Sequence, residues 1–417
     1  MGRLLNILMI SHHRRFKVFA RSHAMGKRLV QRGHAVTLVC TADRRKTGIV
    51  ESNWDGVRVI ESPDLLSGNL RSGWDPWGLV HRLYCLGGEK ATFDLIHCFE
   101  TRPATIYPAL FYQKRHPAPL LTDWNDWWGR GGIIEELRPV WYRTLFGPIE
   151  TYYEEAFRTR ADGLTVISTA LRDRAVRLGV PAENICRISG GAFLELFPYR
   201  SLRECRERVG FSESDIILGY SSLDSHAEMD TMMRVLSLVA RKFPTAKLLI
   251  TGRTGNRVVE AARAHNVADR LHLTGFLPLR DLSWFMGAVN LFVLPFPPKI
   301  YNIGRWPNKV GDYMCVGRPV VSNPVGDIKP LFEENDIGLL ARWDTEDIAE
   351  KVIRLIENPA EADRLGRNAR EVAEAKLDWG VLTRTLENFY YSILDRAKGS
   401  SGIQGGQRVP EQARRRA

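Results

Sequence analysis

A unit repeated along the chain governs what it can fold into: a short apolar run, a polar or glycine-bearing loop, a stretch with helical spacing, then another apolar run. Residues 4–10 are almost continuously apolar, as a strand buried on both faces should be. A polar, basic loop follows at 11–17, and residues 18–31 carry Phe19, Met25, Leu29 and Val30 at helical spacing. Gly33-His34 ends that helix, because glycine takes the left-handed cap, and residues 35–40 form the next β-rich run. Such a βαβ unit predicts a parallel pair with a right-handed crossover.

The alternation continues with strands at 94–97, 120–122, 163–167 and 184–188 and a long helical stretch over 135–158. Ser189-Gly190-Gly191 then reads as a hinge. A second series places strands at 216–220, 247–250, 270–273, 291–294 and 319–321, with helices at 228–242, 257–265, 344–357, 360–377 and 380–398. A chain of 417 residues is too long for one typical domain. The expected fold is therefore α/β, with two doubly wound, Rossmann-like parallel-sheet domains facing across a cleft. Their spans are 1–188 and 189–378; a helix at 379–398 returns to the first domain, and 399–417 is a disordered Gly/Ser/Gln-rich, then basic, tail. Ligands in such folds bind beyond the carboxyl ends of the strands and between domains.

Six scattered cysteines, with no C-x-x-C pair and no Cys/His cluster, argue against structural disulfides and zinc. No run is long enough to span a membrane, and the start lacks the pattern of a signal peptide. The expected location is cytoplasmic, with peripheral contact to the inner membrane face left open. Of the net charge of +11, residues 1–60 carry twelve Lys/Arg against three Asp/Glu, hence +9. A solvated face, or attraction to an anionic membrane surface or phosphorylated acceptor, accounts for it; no aromatic-basic motif points to nucleic acid.

The stretch after Pro307 carries the clearest chemistry. Proline suits the start of a helix, and a helix amino end suits a diphosphate. Asn308 and Lys309 sit on that opening turn, and Asp312 is placed to accept from both hydroxyls of a ribose. Arg305 is the preferred second diphosphate ligand, with Lys299 and Arg253 as further cations. Gly190 and Gly191 permit close backbone approach to phosphate, or form a plain hinge. Gly275-Phe276 is suited to the base, and Gly326 completes the donor set. On the acceptor side three strand-end loops offer His12, His13 and Arg14; His97; and Asp123-Trp124-Asn125-Asp126. Asp123 and Asp126 are alternative carboxylates in the third of these loops. Trp124, Trp127, Trp128 and Trp141 suggest a sugar or membrane-proximal acceptor.

Three stretches resemble the retaining glycosyltransferase family 4 of the GT-B superfold: 33–39 (GHAVTLV); 161–168 (ADGLTVIS) with Gly179-Val180-Pro181 and Ile188-Ser189-Gly190-Gly191; and 307–321 (PNKVGDYMCVGRPVV). The resemblance implies an acceptor-binding first domain and a donor-binding second one, with Asp123 or Asp126 as the catalytic carboxylate and Lys309 and Arg305 at the leaving diphosphate. It further implies transfer from a nucleotide-diphosphate sugar to a glycan or lipid-linked acceptor, with retention of configuration, no metal and no cofactor. The sequence departs from the family where Gly304 replaces a sugar-contacting Glu, and where Ser222 and Ala227 replace an Arg and a Lys. Asp327, or backbone near 302–304, is the expected substitute for the Glu. These losses keep open another GT-B enzyme, such as an epimerase or phosphorylase, or a non-catalytic binder.

Overall fold

The computed structural model describes residues 3–14, 21–42, 47–64, 72–221 and 226–404, the side chains of 14, 226, 227 and 399–404 excepted. The chain forms two sheets. The first comprises β1 (Asn6–Arg14), β2 (Ala35–Thr41), β3 (Val50–Trp54), β4 (Val57–Ser62), β5 (Leu95–Phe99), β6 (Leu120–Trp124), β7 (Gly163–Val166) and β8 (Ile185–Arg187), in the order 3-4-2-1-5-6-7-8. All neighbours run parallel except β3 and β4, which form a hairpin. Its turn places Asp55 and Gly56 at φ 52° and 83°, the left-handed pair that a tight hairpin needs.

The second sheet comprises β9 (Ile216–Ser221), β10 (Ala246–Thr251), β11 (Leu271–Gly275), β12 (Leu291–Leu294), β13 (Val320–Ser322) and β14 (Gly338–Leu340). Its order is 11-10-9-12-13-14, parallel throughout. The chain reverses its direction of growth between β1 and β5 and between β9 and β12, so each sheet has its switch point there.

Helices cover both faces of the first sheet. Leu5, Ile7 and Met9 pack with Met25 and Leu29 of helix Arg21–Gln31 and with Leu386, Tyr390 and Ile393 of helix Trp379–Gln404. Leu8 and Ile10 point the other way, toward Ile106, Ala109 and Tyr112 of helix Pro103–Arg115. The final helix is longer than expected, reaching Gln404; residues 405–417 lie outside the described residues. The helical stretch at 135–158 is also different. Pro139 cannot donate to a helix and pushes Arg138 into an extended conformation (φ −106°, ψ 145°), so the stretch splits into Ile133–Leu137 and Val140–Glu155.

The chain crosses between domains twice, side by side. Ala192 bridges Asp378 in parallel, and its N–H donates to Leu377 O at 2.7 Å. One apolar core runs from Trp124, Leu164 and Leu171 of the first domain to Phe197, Trp306 and Val310 of the second.

Candidate active site

The helix expected after Pro307 spans Asn308–Cys315, with Pro307 as its N-cap and no side chain bonded to the cap. Val310 N–H turns back to Pro307 O at 3.0 Å, and the positive end of the helix carries no side-chain cap. Lys309 Nζ lies 3.2 Å from Tyr220 Oη and 4.3 Å from the centre of that ring. Tyr220 Oη in turn donates to Glu228 Oε2 at 2.7 Å, and burial pushes the phenol well above its ordinary range. This relay fixes Lys309 over the carboxyl end of β9. The guanidinium of Arg305 stacks over Phe296 and Tyr301 at 5.6 and 5.3 Å and makes no hydrogen bond to a described residue. Its charge is felt by Tyr220, which places it beside the same relay.

Asp312 is half-buried and accepts no hydrogen bond from a described residue. Burial alone pushes its carboxyl up to about 7. A carboxylate held this way gains from any pair of donors brought to it. Its neighbour Tyr313 stacks on Phe292 at 3.8 Å and accepts from Ser221 N–H at 3.0 Å, which ties the helix to β9. At the β10–β11 edge Gly252 N–H donates to Gly275 O, and Arg253 lies 5.8 Å over the ring of Phe276. Phe276 is 76% exposed, an unusual position for a phenylalanine unless a flat partner covers it. Gly275 takes φ 64° and has open space where a side chain would stand. The expected donor groups Lys309, Arg305, Asp312, Asn308, Arg253, Gly275 and Phe276 therefore gather on the carboxyl side of the second sheet. Tyr220, Tyr301 and Glu228 join them without having been expected from sequence; Tyr220 reads as one more apolar strand residue until its hydroxyl is placed. Lys299 is exposed, at the start of helix Ile300–Ile303. Ser222 and Arg14's side chain lie outside what is described.

Several expectations are corrected. Asp123 is fully buried: both carboxylate oxygens accept from Arg21 Nε at 3.2 and 3.1 Å, and Thr165 Oγ1 also donates to it. Arg21 spends its remaining donors on Ser189 O and Ile188 O. Asp123 thus locks the first domain to the hinge and is closed to substrate. Asp126 lies half-exposed just beyond β6. Trp124 is buried with Nε1 donating to Glu154, so it is core rather than a sugar platform. His97 is buried between Tyr390 Oη (2.7 Å) and Thr165 Oγ1 (3.1 Å); burial pushes it down to about 3, so it stays neutral and structural. His12 is buried against Ser72, while His13 is half-exposed and bonded to Ser11.

The hinge glycines are also used differently. A side chain on Gly190 would run into Trp306 and Asn308, and one on Gly191 into Trp379. Both exist to let protein, rather than phosphate, come close. Gly326, at φ 55°, packs on Ile303 and Asn302 backbone. The basic character of residues 1–60 is partly spent in ion pairs: Arg28 with Glu195, Arg32 with Glu387, Arg58 with Glu51 and Glu89.

Residues 20–191 match the family described as "Glycosyl transferase 4-like domain", and residues 215–358 match "Glycosyl transferases group 1". The chain belongs to the group 1 glycosyltransferases. It is 22% identical over 304 residues to the alpha-D-kanosaminyltransferase of Streptomyces kanamyceticus, covering 71% of this chain and 76% of that one. It is 25% identical over 262 residues to the D-inositol 3-phosphate glycosyltransferase of Saccharomonospora viridis, covering 60% and 59%. Among solved structures, sucrose-phosphate synthase from Thermosynechococcus elongatus superposes with a TM-score of 0.73 at 17% identity, over 94% of this chain and all of that one. Anabaena HepE in complex with UDP and glucose gives 0.67 at 14%, over 93% and 100%. At such identities the structural likeness establishes the two-domain GT-B fold.

Within this glycosyltransferase, the place of the missing Glu is filled. Trp127, from the loop after β6, packs on Gly304, and Ser168 Oγ donates to Gly304 O at 2.9 Å. Glu136 accepts from Ile300 N–H at 3.0 Å, so the first domain clasps the 300–304 segment at three points. Asp327 does not substitute for the Glu: its carboxylate accepts from Thr169 N–H at 3.0 Å and Arg187 at 3.2 Å, a second clasp between domains.

Proposed function

We propose that this glycosyltransferase moves a sugar from a nucleoside-diphosphate sugar to a glycan or lipid-linked acceptor, with retention of configuration and without a metal or other cofactor. One observation carries the reading: Lys309 and an Arg305 without hydrogen-bond partners among the described residues flank the uncapped amino end of helix Asn308–Cys315. Together they supply the positive charge that a departing diphosphate needs. Their value is greatest as the glycosidic bond breaks and charge grows on the phosphate oxygens. Asp312 would take the ribose hydroxyls, and Phe276 with Arg253 would cover the base. Asp126 is the carboxylate left to face the acceptor and transferred sugar. Retention rests on the family resemblance alone, and the anomeric coupling of the product by proton NMR decides it. The expected location, cytoplasmic, rests on sequence alone.

Thermal shift with UDP-, GDP- and ADP-sugars and free nucleotides tests the donor site. A shift with one nucleotide class, lost in Lys309→Ala, is expected; no shift with any of them overturns the reading. The filled position at Gly304 favours a second reading, a binder that holds nucleotide without transferring sugar. A nucleotide-induced shift without nucleotide release across a panel of glycan and lipid-linked acceptors would favour it.

A further inference from the structure

The least expected surface of the molecule is the outer face of helix Val140–Glu155. Trp141, Leu145, Ile149 and Tyr152 follow one another at helical spacing and are 60, 62, 43 and 50% exposed. Val140, Phe146 and, just before the helix, Leu137 widen the stripe. The opposite face, with Glu150, Thr151 and Glu154, is buried in the first domain. An amphipathic helix normally buries its apolar side; here the apolar side is the one in solvent. A contiguous patch of large side chains marks an interaction surface.

Charge selects the partner. Arg130, Arg138 and Arg143 are exposed around the stripe. The nearby acids are already engaged: the exposed Glu135 accepts from Gly131 N–H, the exposed Glu136 from Ile300 N–H, and the half-buried Glu155 pairs with Arg174. The outward face is apolar, with Trp141 and Tyr152 at the two ends of the stripe, and its three exposed arginines outnumber the two exposed acids, Glu135 and Glu136. Two such faces from copies of this chain would bring arginines together, whereas an anionic lipid surface satisfies both components. We propose that helix Val140–Glu155 is the surface by which the protein lies on an anionic bilayer. The helix starts beyond the same loop that carries Asp126 and Trp127. A cavity of about 670 Å³, lined by Arg130, Arg143, Glu135, Glu155, Pro148 and Tyr152, opens between that loop and the helix. Docking would therefore set the acceptor side of the cleft against the headgroups. Trp124, read from sequence as a membrane signal, is not part of this face. The inference rests on the exposed face and not on the donor reading.

Flotation of the full chain with phosphatidylcholine vesicles, and with vesicles of equal parts phosphatidylcholine and phosphatidylglycerol, tests it. Binding is expected to the second kind and to fall at least about tenfold in the Trp141→Glu, Leu145→Glu double variant. Each of Arg138→Glu and Arg143→Glu should weaken it about fivefold. Nucleotide-induced thermal shift should persist in all of them, which separates failed docking from a failed fold or donor site. Equal binding to both vesicle types, or none to either, overturns the proposal. So does a gel-filtration change from dimer to monomer in the double variant with vesicle binding unchanged, which would assign the face to a second copy.

Discussion

Trp127 of the first domain packs on Gly304 of the second so closely that a Cβ at Gly304 would stand 2.8 Å from the Cβ of Trp127. The position that carries an acidic side chain in the wider family is here a contact between domains. Restoring the acid should therefore harm the protein. Gly304→Glu is expected to destabilise by about 1–3 kcal/mol, the usual cost of overpacking, and to lower transfer. Urea unfolding and a transfer assay check both effects. A gain in transfer would show that the two domains separate here during turnover.

Lys309→Ala and Arg305→Ala should each weaken nucleoside-diphosphate binding by about 1.5–3 kcal/mol, roughly tenfold to a hundredfold, while leaving the unliganded melting temperature close to wild type. Arg305 bonds to no acid among the described residues, and Lys309 reaches the hydroxyl of Tyr220. Isothermal titration calorimetry measures the loss.

An Asp312 that takes the ribose should make donor binding depend on pH. In the free protein its carboxyl is pushed up to about 7, against 3.8 for an unhindered group. The folded state thus holds a proton that the unfolded state gives up, a contribution to stability that is complete below about pH 4 and lost as pH rises through 7. Asp312→Asn, neutral at every pH, should gain in melting temperature relative to wild type across that window. Two ribose hydroxyls donating to the carboxylate would lower its pKa. Binding should strengthen as pH rises through 7 and release a proton, visible as a buffer-dependent enthalpy that Asp312→Asn abolishes.

Asp123→Ala should act on stability, not on chemistry. Removing the carboxylate leaves Arg21 buried without its ion pair, a loss of about 3–5 kcal/mol. The melting temperature should fall sharply. Folded protein, assayed well below its melting temperature, should keep a KM for donor near wild type.

Phe276→Ala should raise the donor KM several-fold with little change in kcat, because an exposed ring that only covers the base adds the same binding to ground and transition states. A fall in kcat alone would place the ring near the reacting sugar.

The parallel strands were legible because each is a short apolar run buried on both faces, as in residues 6–10 and 291–294. The β3–β4 hairpin escaped because β3 is polar and half-exposed along its length, although Asp55-Gly56 is a hairpin signal. The helix start after Pro307, with Lys309 and Asp312 on its first turns, could be read because it follows from one local signal. Asp123, His97 and Trp124 were misread for the opposite reason. Polar or amphipathic groups at strand ends look available until their partners are known. Those partners, Arg21, Tyr390 and Glu154, lie 102, 293 and 30 residues away in the chain. Gly190 and Gly191 misled in the same way: the indoles that need their bareness come from Trp306 and Trp379.

The return of helix Trp379–Gln404 to the first sheet makes the sequence order of the lobes differ from their physical make-up. A fragment ending near residue 188 would lack Leu386, Tyr390 and Ile393 and leave Leu5, Ile7 and Met9 facing water. The amino-terminal lobe is thus finished only when the last helix has been synthesised. The whole second lobe is made before that helix, so the first lobe to be encoded is the one that must wait to be closed.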